Sequence, residues 1–158
     1  MDTEKNSNLK ITKELIILNL DVDSAEEALV KIGNNLQSNG FVKESYVNAV
    51  VEREKTNPTG LQSSSIGVSL PHTDAEHVKE ESLSVAVLNE PIDFIHMGSE
   101  DKKVKVSIIF MLAIKDPENQ LKLLQKLMSF FQKEEYLEKI NNSQSKDEII
   151  KIIQSELF

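Results

Sequence analysis

The chain has 158 residues, no cysteine, and 26 acidic against 18 basic side chains, for a formal net charge of −8. That length suits one domain with a core of its own, while the charge argues against a nucleic-acid or anionic-membrane surface. Without cysteine there is no disulfide framework, thiolate nucleophile or cysteine zinc site. The longest apolar run, residues 108–114, falls far short of the ~20 residues that span a bilayer, and the polar start of the chain is unlike a signal peptide, so a cytoplasmic protein is expected.

Residues 1–8 are polar and lack periodicity, which predicts a flexible tail ahead of a single domain over residues 9–158. Residues 15–22 are apolar and β-branched and predict a first strand. Ser24-Ala25-Glu26-Glu27 then has the pattern of a capping box, opening a helix that Asn39-Gly40 stops after residue 38. A second helix is predicted over residues 41–55, broken by Asn57-Pro58-Thr59-Gly60 and followed by a polar loop over residues 62–65.

The stretch Ile66-Gly67-Val68-Ser69-Leu70-Pro71-His72-Thr73-Asp74 comes next. It reads as a short apolar strand closed by proline, which lacks an amide hydrogen and has a fixed φ. His72 is thereby presented at the carboxyl end of a strand, where ligands gather in open α/β sheets. A further strand is predicted over residues 83–88, followed by Asn89-Glu90-Pro91 and a weak alternation over residues 92–95 ahead of a polar loop over residues 98–103. Residues 104–114 alternate and then become continuously apolar, the pattern of a central strand covered on both faces. Asp116-Pro117 opens a helix to about residue 132, with Leu121, Leu124, Leu127, Met128 and Phe131 as its apolar face. After an apolar segment at 136–140, Ser145-Lys146-Asp147-Glu148 begins a last helix through residue 157. Strands mixed with helices throughout predict an α/β layered domain whose mixed, mostly parallel sheet is covered on both faces.

A neutral imidazole keeps one unprotonated nitrogen, so His72 suits two kinds of chemistry, phosphoryl acceptor or metal ligand. The first calls for a cation that grips phosphate oxygens, and Arg53, the chain's one arginine, is the candidate. The second would draw on His72, Asp74 and His77 as ligands of a metal-dependent hydrolase, although these three lack an established ligand spacing. His77 and His96 otherwise read as loop histidines.

Gly67-Val68-Ser69-Leu70-Pro71-His72, preceded by Arg53-Glu54 and the Thr59-Gly60 turn, resembles the phosphorylated-histidine motif of enzyme IIA domains. These are the fructose-mannitol class of the bacterial phosphoenolpyruvate-dependent sugar phosphotransferase system. The resemblance extends over residues 11–157, continues through Asn119-Gln120-Leu121-Lys122-Leu123-Leu124, and looks most like the galactitol-specific branch, which has a histidine where His77 stands. It implies that His72 is the phosphorylated nucleophile and Arg53 the grip on the phosphoryl oxygens. Gln120 occupies the position of a second histidine found in many members, and its amide can donate to His72 or to phosphate but supplies no proton or charge. Thr59 either takes part in binding or shapes the turn with Gly60. The implied partners are HPr as phosphoryl donor and a cysteine of a cognate IIB component as acceptor, and through it the membrane component IIC, meeting an apolar patch on the His72 rim. No cofactor is implied. A regulatory relative, in which phosphorylated His72 controls a protein partner, keeps the same fold.

Overall fold

The computed structural model of the protein describes residues 9–63 and 65–157, so the tail expected over residues 1–8 lies outside the described residues. Among these, five strands form one sheet: β1 (Ile16–Leu20), β2 (Gly60–Gln62), β3 (Gly67–Ser69), β4 (Ser82–Ile95) and β5 (Lys103–Ala113). Their spatial order is β1-β4-β5-β3-β2. β1 runs parallel to β4 and β3 parallel to β5, while β4–β5 and β2–β3 pair antiparallel. Helices α1 (Ala25–Ser38) and α2 (Ser45–Thr56) cover one face. On the other lie α3 (Pro117–Phe130), α4 (Glu134–Asn142) and α5 (Lys146–Leu157). The expected α/β layering follows.

β5 is the middle strand, and its side chains divide the core. Val104 and Val106, then Ile109, Met111 and Ala113, face the α1–α2 side, while Ile108, Phe110, Leu112 and Ile114 face α3–α5. The phase of the alternation slips at Ser107, where the registers with both β3 and β4 also jump. Gly67 sits across from this slip, and a Cβ there would fall inside the Lys105 carbonyl, so only glycine lets β3 approach β5.

Local chemistry sets the element boundaries. The Ser24 hydroxyl accepts from the Glu27 amide at 3.1 Å, as a capping box requires, but the Glu27 carboxylate closes on the Asp23 amide, one residue before the cap. α2 begins four residues later than its sequence predicts, because Val42 first bridges Val78 and the Lys43 amide donates to the His77 carbonyl. β4 runs on through Asn89-Glu90-Pro91, past the expected end of the strand at residue 88, with Pro91 placed where the ladder with β5 is irregular and no amide hydrogen is called for. The predicted apolar face of α3 needs correction. Leu123, Leu127 and Phe130 are its buried residues, whereas Leu121 and Met128 are 57% and 40% exposed.

Candidate active-site cleft

His72 leaves the end of β3 held on three sides. The Leu70 amide donates to the Thr59 hydroxyl at 3.1 Å, and the Leu112 amide donates to the Pro71 carbonyl at 3.0 Å. Between these two bonds stands the Leu70 carbonyl, which accepts from Nδ1 of His72 at 2.8 Å. A carbonyl oxygen has no hydrogen to give, so Nδ1 carries the proton and, in the neutral ring, Nε2 keeps its lone pair. His72 as a whole is 9% exposed. Burial holds its pKa below the ordinary histidine value; the Leu70 bond opposes this, the Arg53 guanidinium adds to it, and Asp74 draws the other way.

A cleft of about 420 Å³ opens beside the ring, lined by Arg53 and His72, by Pro58 and Thr59 of the loop after α2, and by Met97 and Ser99. The last two lie in the turn from β4 to β5, which is tied to β2 by the bond from the Met97 amide to the Gly60 carbonyl at 2.8 Å. Arg53 is in the last turn of α2, and its Nε is buried without a hydrogen-bond partner among the described residues. A buried guanidinium donor left open beside a nucleophilic imidazole is suited to an anionic ligand.

Thr59 is 4% exposed and fully engaged: besides accepting from Leu70 it donates its hydroxyl hydrogen to Glu54, at 2.9 Å to Oε1, and its amide donates to Glu54 Oε2 at 2.9 Å. Glu54 therefore belongs to the site, although the sequence reading gave it no role beyond its place in the motif. The signal available was its position beside Arg53 and five residues before a buried threonine. Gln120 sits in the first turn of α3, and its Oε1 is likewise buried without a partner among the described residues. Its side chain makes no hydrogen bond with His72. His77 bonds instead to the Ser45 hydroxyl through Nδ1 at 2.8 Å, and His96 to the Met97 carbonyl at 2.7 Å. Among the described residues no three histidine or carboxylate side chains converge as metal ligands, so His72, Asp74 and His77 do not form the ligand cluster that the hydrolase alternative requires.

The model of the family described as "Phosphoenolpyruvate-dependent sugar phosphotransferase system, EIIA 2" matches residues 10–156. The chain belongs to this family. It is 31% identical over 114 residues to the galactitol-specific EIIA component of Escherichia coli K12, covering 71% of this chain and 74% of that one. It is 30% identical over 145 residues to the mannitol-specific enzyme IIA component of Bacillus subtilis, covering 90% and 94%. Among solved structures, the crystal structure of IIA mannitol from Escherichia coli superposes with a TM-score of 0.75 at 25% identity, over 91% of this chain and 99% of that one. The protein is thus a phosphotransferase component of the fructose-mannitol class, similar to galactitol-specific and mannitol-specific members, as its histidine motif implied. Among the described residues no helix is long and apolar enough to cross a membrane.

Proposed function

We propose that the protein is a cytoplasmic phosphocarrier in which Nε2 of His72 takes the phosphoryl group from the phosphohistidine of HPr. His72 then passes it to a cysteine of a cognate IIB component, and so to uptake through IIC of a sugar or polyol, galactitol being the first to test. The observation that carries this reading is the 2.8 Å bond from Nδ1 to the Leu70 carbonyl. It leaves Nε2 as the only nitrogen with a free lone pair, in a cleft that also holds the Arg53 guanidinium.

In the first step the nitrogen–phosphorus bond of the donor breaks as the bond to Nε2 forms, and the donor nitrogen keeps the electron pair. The His72 ring gains positive charge, which the carbonyl on Nδ1–H stabilises, while Arg53 takes the phosphoryl oxygens. In the second step a thiolate attacks phosphorus and Nε2 leaves with its pair, returning the neutral ring.

The docking face for HPr is the exposed apolar side of α3. Met128 shares a groove with Leu61 and Gln62 of β2, the strand that begins directly after Thr59 of the cleft wall. Incubation with phosphoenolpyruvate, enzyme I and HPr, followed by intact mass, tests the reading. One acid-labile phosphate is expected on the wild type and none on His72→Ala. An unmodified wild type beside demonstrably phosphorylated HPr would overturn it.

A further inference from the structure

Glu54 is a half-buried carboxylate behind the cleft wall, and its three hydrogen bonds all go to Thr59, whose hydroxyl in turn accepts from the Leu70 amide. We infer that Glu54 is a positioning residue for His72, acting through the Thr59 hydroxyl and the Leu70 backbone. The inference rests on the phosphocarrier reading for its meaning, but its geometry is independent of it.

The direction of each hydrogen bond is forced. The Leu70 amide can only donate, so the Thr59 oxygen accepts there at 3.1 Å and its single hydrogen must go to Glu54, at 2.9 Å. The Thr59 amide donates to the same carboxylate at 2.9 Å, so Glu54 accepts twice, once with each oxygen, as an ionised carboxylate does best. The next peptide is Leu70–Pro71, and proline brings no amide hydrogen to anchor it. Orientation of the Leu70 carbonyl, the group that fixes the His72 tautomer, is therefore set by its flanks: the Thr59 oxygen before it and the Leu112 amide after it. Loss of the Glu54 acceptor frees the Thr59 hydroxyl to rotate and releases the upstream flank.

The same bond fixes a second group. Arg53 precedes Glu54 in the last turn of α2, and it is through Glu54 that this turn is tied to Thr59. Carbonyl and guanidinium, the two groups the reaction asks of this cleft, thus share one anchor. A carboxylate is an expensive choice for a merely structural tie, since burial pushes Glu54 up to about 7 against the pull of Thr59 and Arg53. A neutral acceptor would close the loop at lower cost, which argues that acceptor strength toward Thr59 is what the position requires.

The test uses the whole chain at pH 8 in three variants, Glu54→Gln, Thr59→Val and Thr59→Ser, each checked for native amide dispersion. Nitrogen-resolved imidazole spectra of the unphosphorylated protein report the His72 tautomer, and steady-state phosphorylation by phospho-HPr reports kcat and KM. Glu54→Gln and Thr59→Val are expected to mix the two tautomers and to lower kcat by roughly ten- to a hundredfold with KM within about twofold, as misplaced reacting groups do. Thr59→Ser, which keeps the hydroxyl, is expected to restore the wild-type tautomer and most of the rate. Retention of the wild-type tautomer and kcat in both of the disruptive variants would overturn the inference. Should Glu54→Gln fail to fold, Thr59→Val decides alone. A wild type that accepts no phosphate would remove the carrier reading, while the spectra would still decide whether Glu54 sets the tautomer.

Discussion

Two neighbouring regions of the molecule reverse the usual partition of side chains, and in opposite ways. Around the end of β3, Thr59, Ser69, His72 and Thr73 are buried polar residues, and Ser69 and Arg53 carry buried polar atoms without partners among the described residues. On α3, which follows the strand bonded to Pro71, Leu121 and Met128 stand open to solvent. Each reversal costs stability in the isolated protein, by leaving polar groups unpaired in one case and apolar surface wet in the other. The difference teaches that one region is arranged for chemistry and the other for contact, and the two can be separated by experiment.

The largest effect is expected at the cleft. Arg53→Gln removes the open guanidinium without changing the docking face, and loss of one donor to developing phosphoryl charge costs about 10²–10³ in kcat. Arg53→Lys should recover only part of that, because an ammonium keeps the charge but loses the planar fork. Stopped transfer from phospho-HPr measures both. If kcat stayed within about threefold of wild type in Arg53→Gln, Arg53 would be a helix-terminal cation and the cleft would lack its phosphate grip.

The contrast also explains what could and could not be read from the chain. The strand ending at Pro71, the Asp116-Pro117 helix start and the apolar middle strand all rest on contacts between near neighbours or on uninterrupted runs, and they stand as expected. The face of α3 does not, because Leu121, Leu123, Leu124, Leu127, Met128, Phe130 and Phe131 make the helix apolar most of the way round. Helical periodicity then admits two stripes, and only packing against Phe110 and the sheet decides which one is inside. β2 was missed for the opposite reason. Its three residues have no alternation to read, and they become a strand by pairing with β3. The site shows the same limit: His72 and Arg53 are legible as residue types, but the bond pattern that gives Glu54 its place closes only when α2, β2 and β3 meet.

A smaller effect is expected on the docking face. Leu121→Ser combined with Met128→Ser alters side chains that are already exposed, so thermal stability should change by less than about 0.5 kcal/mol. The KM for phospho-HPr should rise, by about tenfold if the pair acts as an apolar anchor, while kcat at saturation stays near the wild-type value. Melting temperature and steady-state transfer together read this out. A fall in kcat with unchanged KM would break the division between the two regions, since docking residues would then be acting on the chemistry.

The smallest effect concerns the ionisation of His72 itself and sharpens the same division from the chemical side. Burial lowers the pKa, and Arg53 works in the same direction, so the ring stays neutral at a pH where an exposed histidine is half protonated. At pH 6.5 this preserves Nε2 as nucleophile in more than half of the molecules, a rate advantage of at most about twofold over an unshifted ring. The sign carries over to stability. A cationic acid whose folded pKa is depressed takes up its proton more readily when unfolded, so its contribution is present above about pH 6.5 and is lost as pH falls through the folded value. A proton titration of the His72 ring by NMR should therefore show a midpoint below 6.5, and Arg53→Gln should raise it, while Leu121→Ser should leave it in place. A midpoint at or above 6.5 in the wild type would mean that the ring is solvated in a way its burial denies. A midpoint that moved with Leu121 rather than Arg53 would place the electrostatic control of the nucleophile on the contact face instead of in the cleft.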